Sequence, residues 1–567
     1  MSAGRSAAVV LLLGVAALSV IAPRAVARGR VQTYVQAALL RAAGGGAGDL
    51  LGFSLASSPD GATIVAGAPA ATVDGHARQG AVYVFVRGRR PWRTARQTAK
   101  LTVPGPGAGD LLGISVAISN DGTTIVAGAQ GATVAGRPGQ GAVYVFHRPA
   151  GGWRGERPAA KLTAAPGAAE QYFGTSVGIS GDGSTIVAGA DQATVEGTFQ
   201  QGAAYVFGRP AHGWATGARP QHQRAELSAA NGGQSDYLGY SVAISGDGST
   251  ILAGAPFAAV ASLGGQGAVY AFTRPGGGWG RGSQPQHDAA ELTASDGAPG
   301  DTLGVAVASS EDGGTLAGGA VGATISGRIS QGALYAYAEP AGGWLTRTET
   351  AKLAASGGAD DDLGGAVAIW GDGSVIDGGA PGARASGHSG HGVIELFERP
   401  TAGWQTTRSG LALTDLDPAG GGHLGSSLAV ADGGAVVIAG APGTVVAKRP
   451  GQGSVYVFVR SSRASSAIAL VCRPANVAPG HPASCTARVI DTRDATATGV
   501  VSFAVPAGGW RGACRLAPTR SAGVAACRLH VAPGATRARS VELTVAYGGD
   551  SLDLPSTSTV SLSVRRG

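Results

Sequence analysis

Residues 51–69 read LGFSLASSPDGATIVAGAP: a glycine, a strand of small residues, an Asp-Gly turn and a second, more apolar strand. The same pattern returns as LGISVAISNDGTTIVAGAQ at 112–130 and as FGTSVGISGDGSTIVAGAD at 173–191. Seven glycines head the copies (Gly52, Gly113, Gly174, Gly239, Gly304, Gly364 and Gly425), at spacings of 61, 61, 65, 65, 60 and 61 residues. A fixed period of this size means supersecondary units that bury their apolar faces only against their neighbours.

Each copy predicts four short strands. Asp-Gly between alternating apolar runs is a strong hairpin signal, because the turn needs positive φ. It recurs at Asp60, Asp121, Asp182, Asp247, Asp312, Asp372 and Asp432. The loop after the second strand ends in Gln-Gly at Gln79, Gln140, Gln201, Gln266, Gln331 and Gln452, with His391 in the sixth copy. The third strand is apolar on both faces: Val82 and Val84 alternate with Tyr83 and Phe85, as a strand sandwiched between neighbours requires. Next comes a Pro/Gly-rich loop carrying Trp92, Trp153, Trp214, Trp279, Trp344 or Trp404, and then a fourth strand of the AKLTA type. The first strand is rich in Gly, Ala and Ser, which suits a crowded position near an axis.

Four antiparallel strands in about 60 residues make one propeller blade, so the sequence predicts an all-β, seven-bladed β-propeller. The seventh copy lacks the Trp loop and the fourth strand. QAALLRAAGGGAGDLLG, from Gln36, resembles KLTVPGPGAGDLLG, from Lys100. The N-terminal strand is therefore expected to complete the last blade and leave no blade edge unpaired.

The landmark glycine, the short acidic turn and the Gly-Ala-Pro tails at 67–69, 254–256, 379–381 and 440–442 resemble FG-GAP repeats, over roughly residues 36–460. Such repeats form the head propeller of integrin α subunits and occur in many secreted bacterial proteins. In that family some hairpin loops hold calcium through several spaced Asp or Asn residues. The loops here (SPDG, SNDG, SGDG, SGDG, SEDG, WGDG and VADG) mostly carry one carboxylate each, whereas calcium takes six or more oxygens. No cofactor is expected. The loops nearest to a retained calcium site are Asn120 with Asp121 and Glu311 with Asp312.

The ends differ from the middle. Residues 1–27 read as a secretory signal peptide: Arg5, an apolar run over 7–22, and the small-x-small site Ala25-Val26-Ala27. That leaves residues 28–460 for the propeller and implies a secreted, extracellular or cell-envelope protein with no spanning segment in the mature chain. Residues 461–567 hold all four cysteines. Their short strands suit a β-sandwich, and TGVVSF at Thr498 with YGGDSLDLPSTS at Tyr547 resemble a bacterial Ig-like domain. Four cysteines allow three pairings. Cys472–Cys485 and Cys514–Cys527 are the expected pairs, each linking successive strands in an oxidising compartment. From Ser461 onward there are 12 Arg, no Lys and 5 acidic residues. Basic and aromatic residues do not interleave there as on a nucleic-acid stacking surface, so no nucleic-acid partner is expected.

A search for reactive groups finds repeat residues. Gly174-Thr175-Ser176-Val177-Gly178 fits G-x-S-x-G, but that motif carries a nucleophile only at a strand-to-helix elbow. The same slot reads GFSLA, GISVA and GYSVA in other copies. Asp49, Asp110, Asp236, Asp301 and Asp361 each stand three residues before a landmark glycine; either they cap turns or they ring one mouth of the channel. His388 and His391 lie close together without a carboxylate at metal-ligand spacing. The tryptophans either pack over neighbouring blades or, if exposed, form stacking platforms for sugars. The leading expectation is a non-enzymatic binding or adhesion protein whose variable loops, such as 70–79, meet a protein or glycan ligand. A carbohydrate-binding propeller using the tryptophans is the alternative, and a propeller hydrolase or lyase a third.

Overall fold

The computed structural model describes residues 34–460, apart from 89–90, 106, 215–219, 281–284, 386 and 416–420, and the strand backbones between 466 and 564. The expected signal peptide lies outside the described residues. The chain divides into a unit of residues 34–460 and a second that holds 461–567.

The first unit is a seven-bladed propeller. In blade 1 the strands Ser54–Ser57, Thr63–Ala68, Ala81–Val86 and Ala99–Leu101 pair in order, all antiparallel. The same order recurs around the ring, and the innermost strands of successive blades neighbour one another in a closed cycle. The second strands (Thr63–Ala68, Thr124–Ala129 and their counterparts) are buried along their whole length, which explains why they are Ile-Val-Ala-Gly runs rather than amphipathic ones. Ring closure follows the sequence expectation. Tyr34–Arg41 pairs antiparallel with Ser454–Arg460, Leu40 opposite Val455, and becomes the outer strand of blade 7.

The paired glycines of the repeat mark where blades approach most closely. A Cβ on Gly67 would stand 1.9 Å from the carbonyl oxygen of Gly113 in the next blade, and one on Gly440 would stand 1.9 Å from that of Gly52 at the closing seam. Gly113 and Gly52 also sit at φ +85° and +87°, where a side chain is strained. A hydroxyl completes the same contact: Ser54 Oγ donates to Gly113 O at 2.9 Å, and Ser427 Oγ to Gly52 O at 2.7 Å.

One feature of the blades was not foreseen. In blades 1, 3, 4, 5 and 6 the segment before the outer strand first runs parallel to the outer strand of the preceding blade. Ala95–Arg96 lies on Tyr34–Arg41, Gln286–His287 on Ala225–Ser228, and Arg347–Thr348 on Ala290–Thr293. Side chains two residues before the outer strand fix these straps. Gln97 accepts from Ala43 N at 2.7 Å, Gln223 from Ala165 N at 2.9 Å and Glu349 from Ser295 N at 2.8 Å. An otherwise open strand edge is thereby covered.

In the second unit the described strands form two sheets. One orders Ser466–Arg473, Pro482–Asp491, Gly523–His530 and Ala517–Pro518. The other orders Asn476–Val477, Ser556–Val564, Ser540–Tyr547, Val500–Val505 and Trp510–Arg515. Register places Cys472 opposite Cys485, and Cys485 opposite Cys527 on its other side, whereas Cys514 stands in the second sheet opposite Val501. The side chains of this unit, and with them the expected disulfides, lie outside the described residues.

Candidate functional site

A propeller offers two faces. The turn face carries the Asp-Gly turns and the Trp loops; the loop face carries the Gln-Gly loops and the links between blades. The residues singled out from the sequence fall on both.

On the turn face the Asp-Gly carboxylates fold back on their own turns. Asp60 Oδ1 accepts from Ser58 Oγ at 2.6 Å and from Ala62 N at 2.9 Å. The Ser58 hydroxyl, and after it the Ala62 amide, hold Asp60 below the usual carboxylate range. Asp121 accepts from Ser119 Oγ and Thr123 N, and Asp312 from Ser310 Oγ and Gly314 N. These are Asx turns, which satisfy the oxygens locally. The four residues nearest to a calcium site are therefore split. Asp121 and Asp312 serve their hairpins. Asn120 and Glu311, 191 residues apart in sequence, reach across the axis and hydrogen-bond to each other at 2.7 Å. Around them the turns are laced together: Asn120 N donates to Gly181 O, Gly181 N to Gly246 O, Gly246 N to Glu311 O and Glu311 N to Gly371 O. This lacing closes over a cavity of about 350 Å³ whose lining includes Ser57, Ser310, Trp370 and Gly434. Among the described residues no group of three or more His, Cys, Asp or Glu side chains is placed to hold a metal.

The tryptophans correct an expectation. All six are buried, from 0 % exposed at Trp214 to 9 % at Trp279, and none offers a ring face for sugar stacking. Three of the indoles turn under the Asp-Gly hairpin of their own blade: Trp92 Nε1 donates to Gly61 O at 3.0 Å, Trp214 to Gly183 O at 2.9 Å and Trp279 to Gly248 O at 3.1 Å, which satisfies both the apolar ring and its N–H. The Nε1 atoms of Trp153, Trp344 and Trp404 are buried without a hydrogen-bond partner.

The recurrent Asp of the inter-blade link is also a turn cap. Asp49, Asp236 and Asp301 accept from the backbone three residues earlier, at 2.6, 2.6 and 2.9 Å, and Gln171 does the same in blade 3 at 2.8 Å. They are buried and form no ring at a mouth. Burial pushes Asp110, Asp236, Asp301 and Asp361 above the usual carboxylate range. Ser176 of the G-x-S-x-G match donates to Gly239 O at 2.8 Å, the same inter-blade contact as Ser54 makes. It is a seam residue, not an elbow nucleophile.

Blade 6 departs from the repeat. The Gln of the Gln-Gly pair bonds a backbone carbonyl elsewhere, as Gln79 does to Val103 O. Its counterpart His391 instead meets Asp415, Nε2 to Oδ1 2.5 Å, with both side chains buried and Nδ1 facing Ala385 O. Sequence reasoning missed this pair because 24 residues separate its members. Where other blades have Val65, Val126 or Leu252, blade 6 has Asp377, fully buried with one oxygen near Trp370 Nε1 at 3.4 Å and the other without a partner. Where other blades have Tyr83 or Tyr144, it has Glu395. Burial raises Asp377 to about 8 and Glu395 to about 7.

The loop face is where apolar groups meet solvent. Among the described residues, seven of the nine exposed large hydrophobic side chains stand on it: Phe53, Phe199, Tyr240, Phe257, Leu263, Ile329 and Val445. Tyr237, linking blades 3 and 4, meets Phe257 edge-on at 5.3 Å between ring centres.

With this geometry in hand, sequence comparison is specific. A profile of the FG-GAP repeat matches residues 95–146, 157–207 and 222–272. The chain carries FG-GAP repeats. Each matched stretch runs from the outer strand of one blade through the third strand of the next, so the FG-GAP unit is offset from the structural blade. No curated protein matches the sequence. Solved structures similar to this chain include the periplasmic gluconolactonase PpgL of Pseudomonas aeruginosa, at 17% identity over 64% of this chain and 84% of that one, TM-score 0.39. A calcium-bound Carbohydrate-Active Enzymes Family AA12 protein of Trichoderma reesei is similar at 11% identity over 76% and 96%, TM-score 0.36. The plexin A4 extracellular region is similar at 8% identity over 94% and 67%, TM-score 0.38.

Proposed function

We propose that this chain is an exported, non-enzymatic binding protein that engages a protein ligand through the loop face of its FG-GAP propeller. The observation that carries the reading is the collection of exposed Phe199, Tyr240, Phe257, Leu263 and Ile329 on adjoining blades 3 to 5. Exposed apolar side chains gathered on one face favour an interaction surface, and aromatic side chains dominate binding hot spots. The residues weighed as catalytic support the same view. Ser176 and the link Asp residues are spent on backbone contacts, and the acids Asp377 and Glu395 of blade 6 are buried within strands. The basic domain after Ser461, read as Ig-like, serves as a spacer or second contact, and the leader expected at 1–27 places the protein outside the cytoplasm.

The test is capture of cell-surface and extracellular proteins by the mature chain and by a Phe199→Ser/Tyr240→Ser/Phe257→Ser variant of equal thermal stability, each with calcium and with chelator. A ligand captured by the parent and lost in the variant supports the loop face. A ligand retained by the variant moves the site elsewhere, and loss on chelation alone returns attention to the Asp-Gly turns.

A further inference from the structure

Where the ring closes, three arginines line one cavity. Arg41 ends the N-terminal strand of blade 7, Arg449 stands in the Gln-Gly loop of the same blade, and Arg96 lies in the strap arriving from blade 1. Together with Thr94 and Gln452 they line a space of about 430 Å³ that no carboxylate lines. Among the described residues none of the three forms an ion pair. Arg41 Nε is buried without a hydrogen-bond partner, while Arg449 spends one N–H on Gly45 O.

Comparison of the seams shows that this arrangement is local. Where a strap pairs with the outer strand of the preceding blade, the residue after the outer-strand Leu faces a strap residue. At two seams a hydroxyl is bonded to an imidazole: Thr163 Oγ1 lies 3.4 Å from His222 Nδ1, and Ser228 Oγ lies 3.3 Å from His287 Nδ1. At a third, Thr293 faces Thr348. At the closing seam Arg41 faces Arg96 in register. Like charges directly opposite on paired strands are destabilising, and here a third arginine is added rather than an acid. The closing seam thus sets three cations around a solvent-accessible hollow that no carboxylate lines, which is the charge pattern of an oxyanion receptor. Guanidinium groups bind planar-forked to phosphate and sulfate oxygens, two N–H donors at a time.

We propose that the cavity between blades 7 and 1 binds a tetrahedral oxyanion, phosphate or sulfate, free or as a small monoester, through Arg41, Arg96 and Arg449. The anion bridges the N-terminal strand, the last Gln-Gly loop and the first blade, so its binding tightens the closure of the ring. Ligand held only by the folded state raises stability with its concentration.

The experiment uses the full mature chain. Thermal unfolding and titration calorimetry are run with inorganic phosphate, inorganic sulfate, glycerol 3-phosphate and acetate, all at matched ionic strength in chloride. The expected result is a midpoint that rises with phosphate or sulfate and a phosphate affinity at least tenfold weaker in Arg96→Thr, which copies the Thr348 seam. In chloride alone Arg96→Thr unfolds no earlier than the parent, because a like-charge contact has been removed. Arg449→Ala, on an exposed loop, provides a second variant with the same expected loss. Tighter binding of glycerol 3-phosphate than of phosphate identifies an ester as the ligand, and equal binding identifies the free anion. An equal phosphate response in parent and both variants overturns the site, as does no response in the parent or acetate binding as tight as phosphate.

Discussion

Asp377→Asn isolates the cost of placing a carboxyl in the seam between blades 6 and 7. The two side chains have nearly the same shape, and only one can ionise. In the folded protein burial raises Asp377 to about 8 from the ordinary 3.8, against the smaller opposing effect of the Trp370 N–H. In the unfolded chain the group ionises near its ordinary value. Between those limits the unfolded state has released a proton that the folded state still holds, so stability falls as pH rises through the interval. The gap corresponds to about 6 kcal/mol above pH 8 and about 4 kcal/mol at pH 7, as upper limits for a blade that can relax. The Asn variant carries no such term. Urea unfolding followed by tryptophan fluorescence is therefore expected to show parent and variant nearly equal at pH 4, with the variant progressively more stable towards pH 8. Glu395, raised to about 7 by burial and by Asp361, adds the same sign to both proteins and cancels in the difference. A stability difference that does not change with pH would refute the buried, protonated state of Asp377.

Four further outcomes follow from the structure. Asp415→Ala alone should cost about 3–5 kcal/mol by leaving His391 without its buried partner, while His391→Gln with Asp415→Ala restores the Gln-type contact of the other blades and recovers most of the loss in a double-mutant cycle. Leu40→Ala, at a fully buried site on the closing strand, should cost about 2–5 kcal/mol and show as early exposure of blade 7 in hydrogen exchange. Trp214→Ala should cost about 3–5 kcal/mol, and glycans added to a Trp510→Phe variant should leave its tryptophan emission unchanged, since the propeller indoles are buried. Calcium or chelator should leave the thermal midpoint unmoved, because Asp60, Asp121 and Asp312 already accept from their own turns; a rise with calcium in the parent but not in Glu311→Gln would place a cation at the mouth.

The sequence by itself determined the parts that nearest-neighbour physics controls. A glycine every 60 to 65 residues, an Asp-Gly turn and alternating apolar strands specify a blade, because turn conformation and strand period are local. The truncated seventh copy even specified how the ring closes. Tertiary structure decided what depends on groups brought together around the ring. Whether an indole at Trp92 faces solvent or turns under Gly61 depends on the direction of a loop relative to a hairpin 31 residues earlier, and the repeat pattern is silent on it. Asn120 meets Glu311, His391 meets Asp415, and Arg41 meets Arg96 and Arg449 because the closed ring brings distant blades and straps together. None of those meetings has a periodic signal: they join side chains of separate turns, loops and straps, and the repeat pattern names no partner for any of them.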